Sequence, residues 1–173
     1  MKVAERDDEF ADFVRIHRPS LVGMARLLTA GDTSEAEDVV QTALARMYVS
    51  WGRVRRADNQ LGYARTTLTH VFIDETRRAH RRRESPVADP RIDGPADQPD
   101  FEMRTAIAAA LAGLAPSQRA VVVLRHWLDL SVAETAHILG CSTGNVKSQN
   151  SRALEHLREV LGPAMHLTTK ESR

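Results

Sequence analysis

Cysteine is almost absent from this chain of 173 residues; Cys141 is the only one. A single thiol excludes an internal disulfide and any multi-cysteine zinc site, and it suits a reducing cytoplasmic location. Aromatic residues make up only 5%, while alanine, leucine, arginine and glutamate are frequent. That balance favours helix, because strands draw on aromatic and β-branched residues. No apolar run approaches the ~18 residues of a membrane span, and the opening MKVAERDDEF has no apolar stretch of signal-peptide type. An HExxH pair, a Gly-rich phosphate loop and a nucleophile motif are all missing, and the seven histidines are scattered. No catalytic, metal or cofactor site is expected, so the chain reads as not an enzyme.

Charge, by contrast, is plentiful and segregated. The net value of +1 conceals about −3 over residues 1–52, +6 over 53–83, −4 over 84–100 and +2 over 101–173. Opposed blocks of this kind suit a protein that meets a polyanion with some faces only. The stretch 84–100, ESPVADPRIDGPADQPD, holds four prolines and five acids. It cannot bury enough apolar surface to offset the entropy of ordering, and is expected to be a flexible acidic linker. The expectation is therefore an all-α chain of two small helical domains, 8–83 and 101–162, with a short tail at 163–173.

Upstream, Phe10, Phe13, Val14, Leu21, Met24, Ala25 and Leu28 recur at helical spacing, with Pro19 expected to break or kink the run. After a stop at Gly31-Asp32, a second helix is expected from Thr33-Ser34, with Ser34 and Glu37 as its capping box. Ala36, Val39, Val40, Ala43, Leu44, Met47 and Trp51 form its apolar stripe. A basic loop, 52–59, leads to a third helix from about Gln60 to Arg83, ending in the cluster RRAHRRR.

Downstream, helices are expected over Phe101–Leu114 and Ser117–Leu128, the latter opened by Pro116. Ser131 and Glu134 have capping-box spacing at the head of the short helix SVAETAHIL. Gly140 supplies a left-handed stop, and Ser142 or Thr143 caps a longer helix through Leu161. A short helix, a Gly-containing turn and a second helix are the parts of a helix-turn-helix. The exposed side of that second helix carries Asn145, Lys147, Ser148, Gln149 and Arg152, residue types that reach phosphates and base edges. Cys141, in the turn, is expected to be a small apolar filler.

Three stretches resemble the extracytoplasmic-function (ECF) group of sigma-70-family RNA polymerase sigma factors. GDTSEAEDVVQTALARMYVSW (31–51) resembles the family's helix that docks on the clamp of core RNA polymerase. YARTTLTHVFIDETRRAHRRR (63–83) is similar to the helix that opens and reads the −10 promoter element. LAPSQRAVVVLRHWLDLSVAETAHILGCSTGNVKSQNSRALEHLREVL (114–161) is similar to the −35-reading helix-turn-helix, with its LxxxQR, LSxxExAxxLG and GxVKSxxSRAL elements in order.

The resemblance implies a sigma region 2 helical bundle and a sigma region 4 helix-turn-helix. It implies that Glu37, Asp38 and Gln41 face the polymerase. It places His70, Asp74, Arg77, Arg78 and Arg81 at the −10 element, and Ser142, Asn145, Lys147, Ser148, Gln149 and Arg152 at the −35 element. Where the family often has Arg-Asn, this chain has Thr69-His70, which implies an altered −10 base preference. The loop 52–59 matches in position the family's capture site for a flipped base. The implied partners are core RNA polymerase, through clamp and flap, promoter DNA, and an anti-sigma factor of the kind that often holds such proteins inactive.

Two other readings stand beside it. One is a stand-alone helix-turn-helix transcription regulator whose first domain senses or dimerises. The other is a helical enzyme with a carboxylate site at Glu37-Asp38, for which the sequence offers no third ligand.

Overall fold

The computed structural model describes residues 3–82 and 101–162. The expected linker, 84–100, and tail, 163–173, lie outside the described residues. Helix α1 spans Val3–Leu28, α2 Thr33–Val49, α3 Trp51–Val54 and α4 Gln60–Arg82; α5 spans Phe101–Ala112, α6 Pro116–Val122, α7 Val132–Leu139 and α8 Thr143–Leu161. No strand occurs among the described residues, so the all-α expectation stands.

Pro19 does not interrupt α1, contrary to the expected break. A proline removes its own N–H and crowds the carbonyl four residues back. Arg15 and Pro19 both lie on the exposed side, where water can serve the freed carbonyl. The helix ends where Ala30 and Gly31 turn left-handed, at φ 53° and 90°. Gly31 N–H donates to Arg26 O at 2.8 Å, which closes the last turn.

Asp32, not Ser34, caps α2; its carboxylate accepts from Glu35 N–H at 2.8 Å. Asp32 already has the extended backbone a cap needs, at φ −65° and ψ 106°, which leaves Ser34 one step inside the helix. The expected Ser34–Glu37 box does not form, and Glu37 instead pairs with Arg18 of α1. The apolar stripe is as read: Ala36, Val39, Val40, Ala43, Leu44, Met47 and Trp51 are all buried.

The supposed loop after Trp51 begins with a helical turn, α3, which buries Val54. Arg55 lies 3.5 Å from Glu9, tying the remaining loop to α1. Asn59 then caps α4, its side-chain oxygen accepting from Gly62 N–H at 2.7 Å. A Cβ at Gly62 would stand 2.7 Å from that same side chain, so the cap needs glycine there. Helices α1, α2 and α4 enclose a core of Phe13, Leu21, Met24, Leu28, Leu68 and Phe72.

In the second half, α6 starts at Pro116, and Ala115 N–H donates to Gln118 Oε1 at 3.1 Å. The helix expected through Leu128 loosens instead into a π-helical turn, Val123–Trp127. Ser131 and Glu134 form both halves of their box, at 3.1 and 2.7 Å. Gly140 is left-handed, at φ 62°. Ser142 caps α8, which packs on α5, α6 and α7 through Val146, Ala153, Leu154 and Leu157. Cys141 is half-buried and packs beside Val121, Ala136 and Val146, in keeping with a filler.

Candidate nucleic-acid and polymerase interfaces

On α2 the buried stripe forces Asp38 and Gln41 to the outside, where both are exposed. Glu37 sits closer to α1 and is engaged by the Arg18 guanidinium, so it fixes α2 against α1 as much as it presents charge. Asp38 joins Asp32, Glu35, Glu75 and Arg119 on the walls of a cleft of about 600 Å³. Burial and the nearby carboxylates Asp32, Asp38 and Glu75 push the Glu35 carboxyl up, against the pull of Arg119. Among the described residues no three His, Cys, Asp or Glu side chains gather as metal ligands.

On α4 the positions divide sharply. Thr69 is 0% exposed, and its hydroxyl donates to Arg65 O at 2.9 Å, so it faces the core rather than DNA. His70, one step on, points outward. Asp74 is held by Arg46 of α2 at 3.2 Å, and Arg78 by Glu75 at 3.0 Å. Arg77 and Arg81 are exposed. The end of α4 is thus a cationic surface whose two acids are both paired, Asp74 as a brace to α2 and Glu75 with Arg78. Arg46, which sequence reading passed over, completes that brace.

On α8 Asn145, Lys147, Ser148 and Arg152 are exposed and Gln149 is half-exposed. The Ser142 hydroxyl is spent on its cap, accepting from Asn145 N–H at 3.1 Å. One contact had gone unread: Asn150 Oδ1 lies 2.9 Å from His126 Nε2, so the π-helical turn steadies the middle of α8. The pair is a polar contact between elements far apart in sequence, which periodicity cannot reveal.

Comparison with known proteins decides what these surfaces belong to. The sigma-70 region 2 family model matches residues 13–82 and the sigma-70 region 4 model matches 104–157. The chain is 41% identical to the RNA polymerase sigma-E factor of Streptomyces avermitilis over 159 residues, covering 88% of this chain and 85% of that one. The chain belongs to the ECF group of the sigma-70 family. Similar relatives include the sigma-E factor of Streptomyces coelicolor, 39% identical over 88% of this chain and 86% of the relative, and the ECF sigma factor SigM of Mycobacterium tuberculosis, 31% identical over 88% and 77%. A solved structure, the sigma factor RpoE in complex with the anti-sigma factor NepR from Bartonella quintana, superposes with a TM-score of 0.65. It is 27% identical and covers 91% of this chain and 99% of its own.

This sigma factor accordingly carries a sigma-70 region 2 bundle and a region 4 helix-turn-helix. Sigma factors are initiation factors, and the family offers no precedent for catalysis by them. No helix among the described residues is long and apolar enough to cross a membrane.

Proposed function

We propose that this sigma factor binds core RNA polymerase through Asp38 and Gln41, with Glu37 as the anchored member of the set. It reads and opens the −10 element with α4 and reads the −35 element with α8. The observation that carries this reading is the division of exposed chemistry along one chain. An acidic, exposed face on α2 stands beside a cationic end on α4, and the helix-turn-helix presents a polar N-terminal half. A plain repressor needs the last of these alone.

Each residue has its task on physical grounds. Arg77, Arg78 and Arg81 suit backbone phosphates, Asp74 braces the helix that carries them, and His70 meets the bases. A neutral imidazole donates one hydrogen bond and accepts another, and its flat ring can stack on an unpaired base, a contact worth about 1–3 kcal/mol. Lys147 takes phosphate, while Asn145, Ser148, Gln149 and Arg152 reach base edges or phosphate; Ser142 fixes the start of the helix. The domains run 8–83 and 101–162, joined by the acidic stretch 84–100. An anionic linker would avoid the duplex and favour nucleic-acid channels of the enzyme. The protein works in the cytoplasm, and the nucleotide chemistry belongs wholly to the polymerase. An anti-sigma factor is the natural inhibitor.

Substitution of Asp38 tests the polymerase assignment. Asp38→Arg is expected to abolish co-purification with core polymerase while leaving helical content and melting temperature nearly unchanged, because the side chain is exposed. A protein that unfolds, or one that still co-purifies, refutes the role given to this face.

A further inference from the structure

The residues assigned to base reading on α8 are only as precise as the seat of the helix that carries them. Its buried stripe runs through Val146, Ala153, Leu154 and Leu157. Helical periodicity puts position 150 on the same stripe, one turn after Val146 and one turn before Ala153 and Leu154. An apolar residue would suit that position, and the chain has Asn150, half-buried. Its partner is His126 in the π-helical turn, with Asn150 Oδ1 2.9 Å from His126 Nε2. An amide oxygen only accepts, so the imidazole N–H donates.

The turn holds that ring from several sides. Val123 and Leu124 are buried, and Leu128 N–H donates to Val123 O at 3.1 Å. Leu130 N–H donates to Leu124 O at 3.1 Å, and the Arg125 guanidinium donates to Leu130 O. Asp129 adopts a left-handed backbone, at φ 52°, which is uncommon for a residue other than glycine. Continued as a regular α-helix, α6 would bring Trp127 into line with Ala120, Val123 and Leu124. All three are buried, yet Trp127 is 59% exposed. The wide turn therefore changes the phase of the chain, and the residue it delivers to α8 is His126.

Asn145, Ser148 and Arg152 lie on the opposite side of α8 from Asn150, within about a turn and a half of it along the axis. Apolar burial is non-directional and leaves a helix some freedom to roll, whereas a hydrogen bond has an angular preference. A roll of about 10° moves a side chain by about 1 Å at the ~5–6 Å radius of a helix, and a binding constellation tolerates about 0.5 Å. We infer that His126 is a positioning residue for promoter reading: through Asn150 it fixes the rotation of α8, and so sets how sharply the chain discriminates among −35 sequences. The inference rests on the reading of α8 as the −35 helix.

The test uses the full chain with core polymerase and a promoter fragment that gives a run-off product with the wild-type protein. Its −35 segment is randomised, and competition binding gives the discrimination between the preferred sequence and its single-base-pair substitutions. A second library, randomised at the −10 segment, is the internal reference. Asn150→Ala removes the acceptor and puts a good helix former in its place, so α8 is kept. Asn150→Ala and His126→Ala are each expected to reduce −35 discrimination about threefold or more, with −10 discrimination unchanged. The double variant is expected to lose no more than either single one. His126→Gln, whose amide N–H can donate to the same oxygen, is expected to keep the wild-type value. A fall in melting temperature with −35 discrimination intact shows that the pair only stabilises the fold, and overturns the inference. Additive losses in the double variant, or equal losses at both elements, overturn it too. Should His126→Ala lose its helical signal, Asn150→Ala decides alone: lost −35 discrimination supports the inference and intact discrimination overturns it. A wild-type chain with no −35 preference refutes the reading of α8 and takes the inference with it; unchanged variants of a wild type that has one overturn the inference alone.

Discussion

Lys147 and Arg152 are both exposed on α8, five residues apart, yet they are assigned different work. Lysine is a point charge, and the loss of one phosphate contact weakens binding to every sequence. Arginine can make a bidentate contact to guanine, worth about 1–3 kcal/mol of discrimination against the wrong base. Lys147→Ala is expected to lower affinity for promoter and random duplexes alike, and to reduce the salt slope by about one. Arg152→Ala shifts sequence preference if it reads a base and behaves like Lys147→Ala if it holds phosphate. Fluorescence anisotropy over a salt series measures both; unchanged affinity and slope in the two variants would remove α8 from the DNA. His70 gives a second test at this scale. His70→Asn is expected to change the −10 consensus returned from a randomised library, and an identical consensus would pass that role to the loop 52–59. Thr69 has no part in it, since its side chain is buried. The pairing of Thr69 with His70 as one departure from the family thus splits into a core residue and a surface one. The sequence could not separate them, because both fall near the edge of the apolar stripe of α4.

Elements were legible where local chemistry decides them. The Ser131–Glu134 box and the left-handed Gly140 follow from residues three or fewer positions apart, and both formed as read. Asp32 displaced Ser34 as the α2 cap because the backbone turn at Ala30-Gly31 delivers the extended conformation one residue earlier than composition suggests. Pro19 was misjudged for a different reason: its cost depends on whether the orphaned carbonyl meets water, which is a property of the folded face. The π-helical turn at Val123–Trp127 has no sequence signal that we can name. The α7 cap also carries a pH dependence. Hydrogen bonds from Ser131, through its side chain and its backbone N–H, hold the Glu134 carboxyl below its usual range. A depressed acid contributes stability above the unfolded-state pKa and loses it as pH falls through the folded one. The melting-temperature gap between wild type and Glu134→Gln is therefore expected to be present at neutral pH and to vanish on acidification past that range. A gap that grows on acidification would contradict the cap. Ser131→Ala removes the other half and is expected to cost about 1 kcal/mol of stability.

At the scale of the molecule, composition foretold an all-helical chain, and the motifs foretold the region 2 and region 4 units that the family models match. What neither could foretell is how the units sit together. The Arg119 bridge to Leu28 O and the His70 contact with Ile138 O join residues 91 and 68 positions apart, using a backbone carbonyl each time. Carbonyls are the same in every residue, so such contacts leave no mark in the pattern of side chains. Arg119 was legible as part of the LxxxQR element but not as a clip between domains. The same holds for Ala120, which reads as one more apolar residue of α6 and proves to be buried in one cluster with Leu68, Val71 and Phe72 of α4. The central claim is that this chain turns core RNA polymerase into a promoter-specific enzyme. Run-off transcription with purified core polymerase and genomic fragments tests it most directly. The account predicts discrete run-off products that require the added chain and disappear with Asp38→Arg; an absence of chain-dependent products, from a chain that still binds the same fragments by itself, would contradict it.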